Sequence, residues 1–294
     1  MNIQPLKELL TERISKQTKI AAGSIELSPV GGGSINNCYK LLISNKPKFF
    51  LKLNSAVSFP GLFEKEKNGL RFLASQNCIR IPSVILCETA GDHQLLLLEW
   101  IESGIRSDDT WRQFGEQLAR LHYTSNDYFG FAEDNYMGSL PQANNLVENW
   151  IDFFVNYRIR PQIELAENKK LLDKSHISSF EALFKRLNSI INIEKPSLLH
   201  GDLWSGNFMC DERSAPVLID PAIYFGHRSM DLGMTTLFGG FDKGFYDAYH
   251  YHYPLPGNYH EQGELCNLYP LLIHLNLFGQ SYLPDISHTL RKFL

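Results

Sequence analysis

Residues 198–208 read LLHGDLWSGNF, and this stretch decides the fold. An acid, Asp202, and an amide, Asn207, stand five positions apart, with Trp204 and Gly206 between them. The apolar pair Leu198 and Leu199 precedes them, as at the end of a buried strand, and Gly201 and Gly206 fall where the backbone is expected to need unusual dihedrals. A carboxylate and a carboxamide at that spacing let one loop hold a proton acceptor beside a nucleophile and a hard oxygen ligand beside a phosphate. Thirteen residues after Asn207, the apolar run PVLID ends in a second acid, Asp220.

Upstream, residues 24–53 read as strands and turns: SIELSPV, the glycine turn GGGSIN, NCYKLLIS, the turn SNKP, and KFFLKLN. In the last of these, alternation puts Phe49, Leu51 and Leu53 on one face and Phe50 with Lys52 on the other. A lysine on a half-buried strand calls for a partner. The next segment, GLFEKEKNGLRFLASQN, is helical, with Phe63, Leu70 and Leu73 forming its inward stripe; Glu66 falls inside that stripe and Glu64 and Lys65 outside it. Lys52 and Glu66 are therefore expected to pair.

IPSVILCE and HQLLLLEWI supply two more strands. From Ser107 the pattern turns mainly helical, in TWRQFGEQLARLH, NWIDFFVNYRIRPQIELAEN, SFEALFKRLNSII and LYPLLIHLNLF. The break at IESGIR places a boundary after residue 101, dividing a nucleotide-binding lobe, 1–101, from a helical catalytic and substrate lobe, 102–294. The expected class is α+β, a small antiparallel β-rich N-lobe on a larger, mostly helical C-lobe, with the ligand between them.

In chain order the parts are the glycine turn Gly31, Gly32, Gly33 and Ser34, then Lys52, Glu66, the hinge Glu99, Trp100 and Ile101, then Asp202, Asn207 and Asp220. This is the parts list of a kinase-type phosphoryl transferase using ATP and Mg²⁺. The glycines bring backbone N–H groups to the phosphates, Lys52 neutralises phosphate oxygens and Glu66 orients it, and the hinge takes the nucleotide base. Asp202 accepts the proton of the attacking hydroxyl, and Asn207 and Asp220 are the metal ligands. His200 reads as a loop organiser, because the motif already has its base. Trp204 and Tyr224 have two readings, as covers for the acceptor or as core packing.

Composition bounds the partners. With 28 Lys and Arg against 32 Asp and Glu, the net charge of −4 offers no footprint for nucleic acid or an anionic membrane. Leu6, Leu9, Leu10 and Ile14 give the first segment helical spacing without a secretory apolar core, so the expected location is cytoplasmic. Five cysteines with no Cys-x-x-Cys read as reduced thiols, and His250-Tyr-His252 reads as aromatic packing.

GGGSIN, FEKEKNGL, GEQLARLH, FGFAEDNYMGSLPQANN, LLHGDLWSGN, IDPAIYFGHR, TTLFGGF and HLNLFGQSYL together resemble the fructosamine (ketosamine) kinases, within the wider aminoglycoside phosphotransferase-like group, over nearly the whole chain. The resemblance implies a two-lobed protein-kinase-like fold and ATP-dependent phosphorylation of the 3-hydroxyl of a ketosamine, such as a fructosamine or ribulosamine. It implies Asp202 as base, Asn207 and Asp220 as metal ligands, and Lys52 with Glu66 as the phosphate anchor. Two positions depart from the family pattern: Ser229 stands where a glutamate is common, and Ser34 where many members carry cysteine. The remaining rivals are a kinase of another small hydroxyl compound, aminoglycoside- or choline-like, and a non-catalytic nucleotide-binding protein.

Overall fold

Hydrophobic alternation in the first hundred residues builds a five-stranded antiparallel sheet. The computed structural model describes residues 3–18, 25–31 and 35–294. Helix α1 (Ile3–Thr18) is succeeded by β1 (Ile25–Val30), β2 (Asn37–Ile43), β3 (Lys46–Ser55), α2 (Leu62–Ser75), β4 (Val84–Ala90) and β5 (His93–Glu99), and the strand order is β1-β2-β3-β5-β4. The period of two divides β3 as its sequence dictates. Phe49, Leu51 and Leu53 join Leu6, Leu10 and Ile14 of α1 in a core under one face, while Lys52 sits on the other, between Cys38 of β2 and Leu96 of β5 in register. Strand β5 is apolar on both sides: Leu95 and Leu97 face the α1 core, and Leu96 and Leu98 face α2.

A second core joins the sheet to the helical part of the chain. Leu62, Phe63, Leu70 and Leu73 of α2 and Leu96 and Leu98 of β5 form one buried cluster with Phe114 and Leu118 of α3 (Asp108–Tyr123) and with Leu198, Leu203 and Phe208. The chain crosses between the two parts over residues 100–107, where Gly104 N–H donates to Cys210 O at 3.0 Å. Ser107 then caps α3 in a reciprocal pair with Thr110.

Beyond α3, the short hairpin β6 (Asn135–Met137) and β7 (Leu140–Gln142) leads to α4 (Trp150–Phe153), which runs through a π-helical segment, Phe154–Ile159, into α5 (Arg160–Asn168). Then come α6 (Lys174–Phe184), α7 (Leu187–Ile190), and four three-residue strands, β8 (Ser197–Leu199), β9 (Phe208–Cys210), β10 (Pro216–Leu218) and β11 (Tyr224–Gly226), paired β8 with β11 and β9 with β10. Helices α8 (Ser229–Leu237), α9 (Lys243–His252), α10 (Tyr259–Cys266), α11 (Leu268–Phe278) and α12 (Leu283–Phe293) complete the chain. Helices α4, α5, α6, α11 and α12 surround the largest core. These elements form a two-lobed α+β fold of the kinase type. Among the described residues no helix is long and apolar enough to cross a membrane, and all five cysteines are free.

Candidate active site

A cavity of about 480 Å³ lies between the second face of the sheet and the helical part, and Lys52, Glu66, Asp202, Trp204, Asn207 and Asp220 all line it. Lys52 and Asp220, 168 positions apart in sequence, meet here because β3 delivers one and the exit of β10 delivers the other.

Lys52 is 1% exposed, and its Nζ donates to Glu66 Oε1 at 2.7 Å and to Asp220 Oδ1. Burial opposes its charge, but Asp220 and Glu66 outweigh burial and hold its pKa above that of a free lysine. A permanent cation is thus fixed between two carboxylates. The inward stripe of α2 placed Glu66 here, while Glu64 faces out and pairs with Lys67.

The loop between β8 and β9 carries the acid and the amide. Asn207 donates both amide hydrogens to Asp202, to the backbone O at 2.9 Å and to Oδ2 at 2.8 Å. Its Oδ1 is therefore turned away and available as a hard ligand. Burial pushes the Asp202 carboxyl up to about 7, partly relieved by the Asn207 bond and reinforced by the nearby charges of Asp220 and Asp231. Ile219 N–H donates to Asn207 O at 3.1 Å and Ala222 N–H to His200 O at 2.9 Å, so the two acid-bearing segments are stitched together. Asp220 has φ of 54°, a left-handed conformation that aims its carboxylate back at Lys52.

The donor set suits Mg²⁺. Among the described residues no group of three or more His, Cys, Asp or Glu side chains could hold a metal unaided. Asn207 Oδ1 and the Asp220 carboxylate instead offer a partial shell of the kind Mg²⁺ completes with phosphate oxygens and water.

Several positions were not foreseen in the sequence. Asp231 of α8, 1% exposed, accepts His200 N–H at 2.7 Å, Gly201 N–H at 2.9 Å and His122 Nε2 at 3.2 Å. It clamps the loop that carries Asp202 and Asn207 from behind through backbone amides. His200 has both ring nitrogens engaged, Nε2 with Ile219 O at 2.9 Å and Nδ1 with Asp202 N–H at 3.3 Å, which suits the organiser reading. Asn135 and Gln142 of the β6–β7 hairpin donate to Ile223 O and Ala222 O at 2.8 and 3.2 Å, gripping the segment after Asp220.

Other expectations are corrected. Tyr224 does not line the cavity: it is fully buried and packed on Phe153, its ring centroid 4.0 Å from the Arg158 guanidinium, because β11 is covered on both faces. Gly201 has φ of 84°, as expected, and a Cβ there would stand 2.0 Å from Ala222 O. Gly206 has no positive φ; a Cβ there would instead strike the Trp204 ring at 2.2 Å, so its bareness serves packing. Trp204, 37% exposed, is a cleft residue. Glu99, Trp100 and Ile101 stand at the crossing outside the cavity lining; the Glu99 carboxylate is occupied by Arg80 at 2.7 Å and Ser83 N–H at 3.1 Å. Of the glycine turn, Gly31 is described, whereas Gly32, Gly33 and Ser34 lie outside the described residues; Ile35 and Asn36 reach the cavity.

A buried lysine–glutamate pair on a β-rich lobe, facing an acid, an amide and a second acid on a helical lobe, defines a phosphotransferase of the protein-kinase-like class. More narrowly, the chain belongs to the fructosamine kinase family, whose model matches residues 6–294. It is 35% identical over 290 residues to a Synechocystis protein described as a probable ketoamine kinase, covering 98% of this chain and 96% of that one. A solved structure from Haemophilus somnus, described as a putative fructosamine-3-kinase, superposes with a TM-score of 0.87 at 27% identity over 97% of this chain and 96% of its own. The aminoglycoside phosphotransferase APH(4)-Ia shares the fold, with a TM-score of 0.61 at 14% identity over 96% and 98%.

Proposed function

We propose that this protein transfers the γ-phosphoryl group of ATP to the 3-hydroxyl of a ketosamine in the cytoplasm, with residues 1–101 holding the nucleotide and 102–294 the acceptor. The observation that carries the assignment of roles is the Asn207 amide: committing both its hydrogens to Asp202 orients the carboxylate and leaves one oxygen for a cation. The acceptor oxygen attacks the γ-phosphorus, the bond from that phosphorus to the β,γ-bridging oxygen breaks, ADP leaves, and the hydroxyl proton passes to Asp202. Lys52, fixed by Glu66, exchanges its contact with Asp220 for phosphate oxygens. Mg²⁺ would be held by Asn207 Oδ1 and Asp220 with phosphate oxygens, and would supply neutralisation of charge on the transferring group. The turn Gly31–Ser34 takes the phosphates, and the base extends from the cavity toward the crossing at Glu99–Ile101.

The choice of acceptor is supported by the family and by the cavity. Its carboxylates are Glu66 and Asp220, which face Lys52, and Asp202, which takes the hydroxyl proton, so no further acid lines the cavity to receive a polycationic aminoglycoside. Purified protein with ATP and Mg²⁺ is expected to release ADP and form a sugar phosphate with ketosamines, and not with aminoglycosides or choline. Turnover of the latter alone would overturn the acceptor assignment.

A further inference from the structure

Five rings from three distant segments meet at the outer end of the cavity. Trp204 comes from the catalytic loop, Phe238 from the end of α8, and His274, Phe278 and Tyr282 from α11 and the turn after it. Trp204 meets Phe238 edge-on with centroids 6.0 Å apart, Phe238 lies 5.0 Å from His274, and His274 lies 5.5 Å from Phe278 and 5.0 Å from Tyr282. The rings form a continuous wall and not a scatter. Trp204, Phe238 and Phe278 are 37%, 41% and 50% exposed, although α11 is otherwise buried along nearly its whole length. Exposed, contiguous aromatic surface at the rim of a cavity marks a contact made by a ligand.

The wall carries no carboxylate. His274 Nδ1 donates to Pro270 O at 2.7 Å, and burial lowers the ring's pKa, so the imidazole adds no positive charge near neutrality. A ketosamine held with its hydroxyl at Asp202, and with the nucleotide on the Lys52 side, must direct its other end, the amine and its substituent, away from both. That end meets these rings. A secondary ammonium is attracted to ring faces, and a flat or apolar substituent buries surface against them.

Building on the ketosamine reading of the acceptor, we propose that the Trp204–Phe238–His274–Phe278–Tyr282 wall reads the amine substituent and selects ketosamines of aromatic or apolar amines over those carrying a carboxylate-bearing arm. A carboxylate set against a wall without cationic partners loses hydration without return. The preference should appear mainly in KM, because the arm binds alike in the ground and transition states.

The experiment compares kcat/KM for the fructose adducts of benzylamine and of glycine, in the native protein and in Phe278→Ala and Tyr282→Ala, with Phe278→Tyr as the conservative control. The native protein is expected to favour the benzylamine adduct by about tenfold, a ratio of the size aromatic contacts give. Either alanine variant should reduce that ratio to about twofold, through KM, and Phe278→Tyr should keep it. Phe278 and Tyr282 lie at the rim, so thermal melts are expected to be little changed. Equal use of the two adducts by the native protein, or alanine variants that lower both adducts alike, would overturn the inference while leaving ketosamine phosphorylation standing. If neither adduct is phosphorylated, the acceptor assignment itself falls, and this inference with it.

Discussion

Replacing Asp202 by asparagine should make the protein more stable and nearly inactive, and the stability gain should depend on pH. Burial, with Asp220 and Asp231 nearby, raises this carboxyl from 3.8 to about 7. The folded state therefore binds the proton more tightly than the unfolded chain, and native stability falls as pH climbs from about 4 to about 7, then stays low. That rise corresponds to a ceiling of about 4 kcal/mol, at about 1.36 kcal/mol per pH unit. The side chain opens partly into the cleft, so solvent reduces this to about 2 kcal/mol. Asp202→Asn keeps an oxygen for the Asn207 amide and removes the charge penalty. Nucleotide-free melts between about pH 5 and about pH 8.5 should show the variant above the native protein by about 4 °C at the alkaline end, shrinking toward the acid end. Turnover at about pH 8 should fall by about 10²–10⁴, the contribution of a positioned base. A stability difference independent of pH, or a variant less stable than the native protein at the alkaline end, would refute the electrostatic reasoning.

Lys52→Ala leaves Glu66 and Asp220 facing each other without their cation; kcat should fall by about two orders of magnitude with a raised KM for ATP, whereas Glu66→Gln, which keeps a hydrogen bond, should cost about tenfold in steady-state assays. Asp231→Ala strips two buried backbone amides of their acceptor at about 1–3 kcal/mol each, so melts should drop and kcat with them, although Asp231 touches neither nucleotide nor acceptor. Tyr224→Phe removes a buried hydroxyl with no hydrogen-bond partner among the described residues; stability should hold or rise by about 1 kcal/mol and the acceptor KM should not move. A raised acceptor KM would return Tyr224 to the cleft.

The Lys52–Glu66 pair was legible because each residue broke a local pattern, a charge on a half-buried strand and a charge inside an apolar helical stripe, and burial forces such exceptions to find each other. The loop from Asp202 to Asn207 was legible because its chemistry is local. Asp231 was not, because it works through backbone amides 30 and 31 residues earlier, and no side-chain pattern records that a carboxylate will meet the main chain. Tyr224 stayed open between acceptor cover and core packing, the reading the structure bears out, because a three-residue strand buried on both faces has no alternation to read. At Glu99 the sequence showed a hinge position, but not that Arg80 would engage its carboxylate and Asp211 together. The π-helical turn that sets Arg158 against Tyr224 is likewise a tertiary outcome of packing, hidden in a helical periodicity that continues through it.

Transfer to the 3-hydroxyl with Asp202 as base can be tested in a single proton–phosphorus correlation spectrum of the product formed from ATP, Mg²⁺ and a fructosamine, run in parallel with the Asp202→Asn variant. The new phosphate is expected to couple to the proton on the third sugar carbon, with that signal absent from the variant over the same period. Phosphate on a different atom, or ADP without a sugar phosphate, would contradict the site of transfer, and an equal yield from the variant would contradict the role given to the acid.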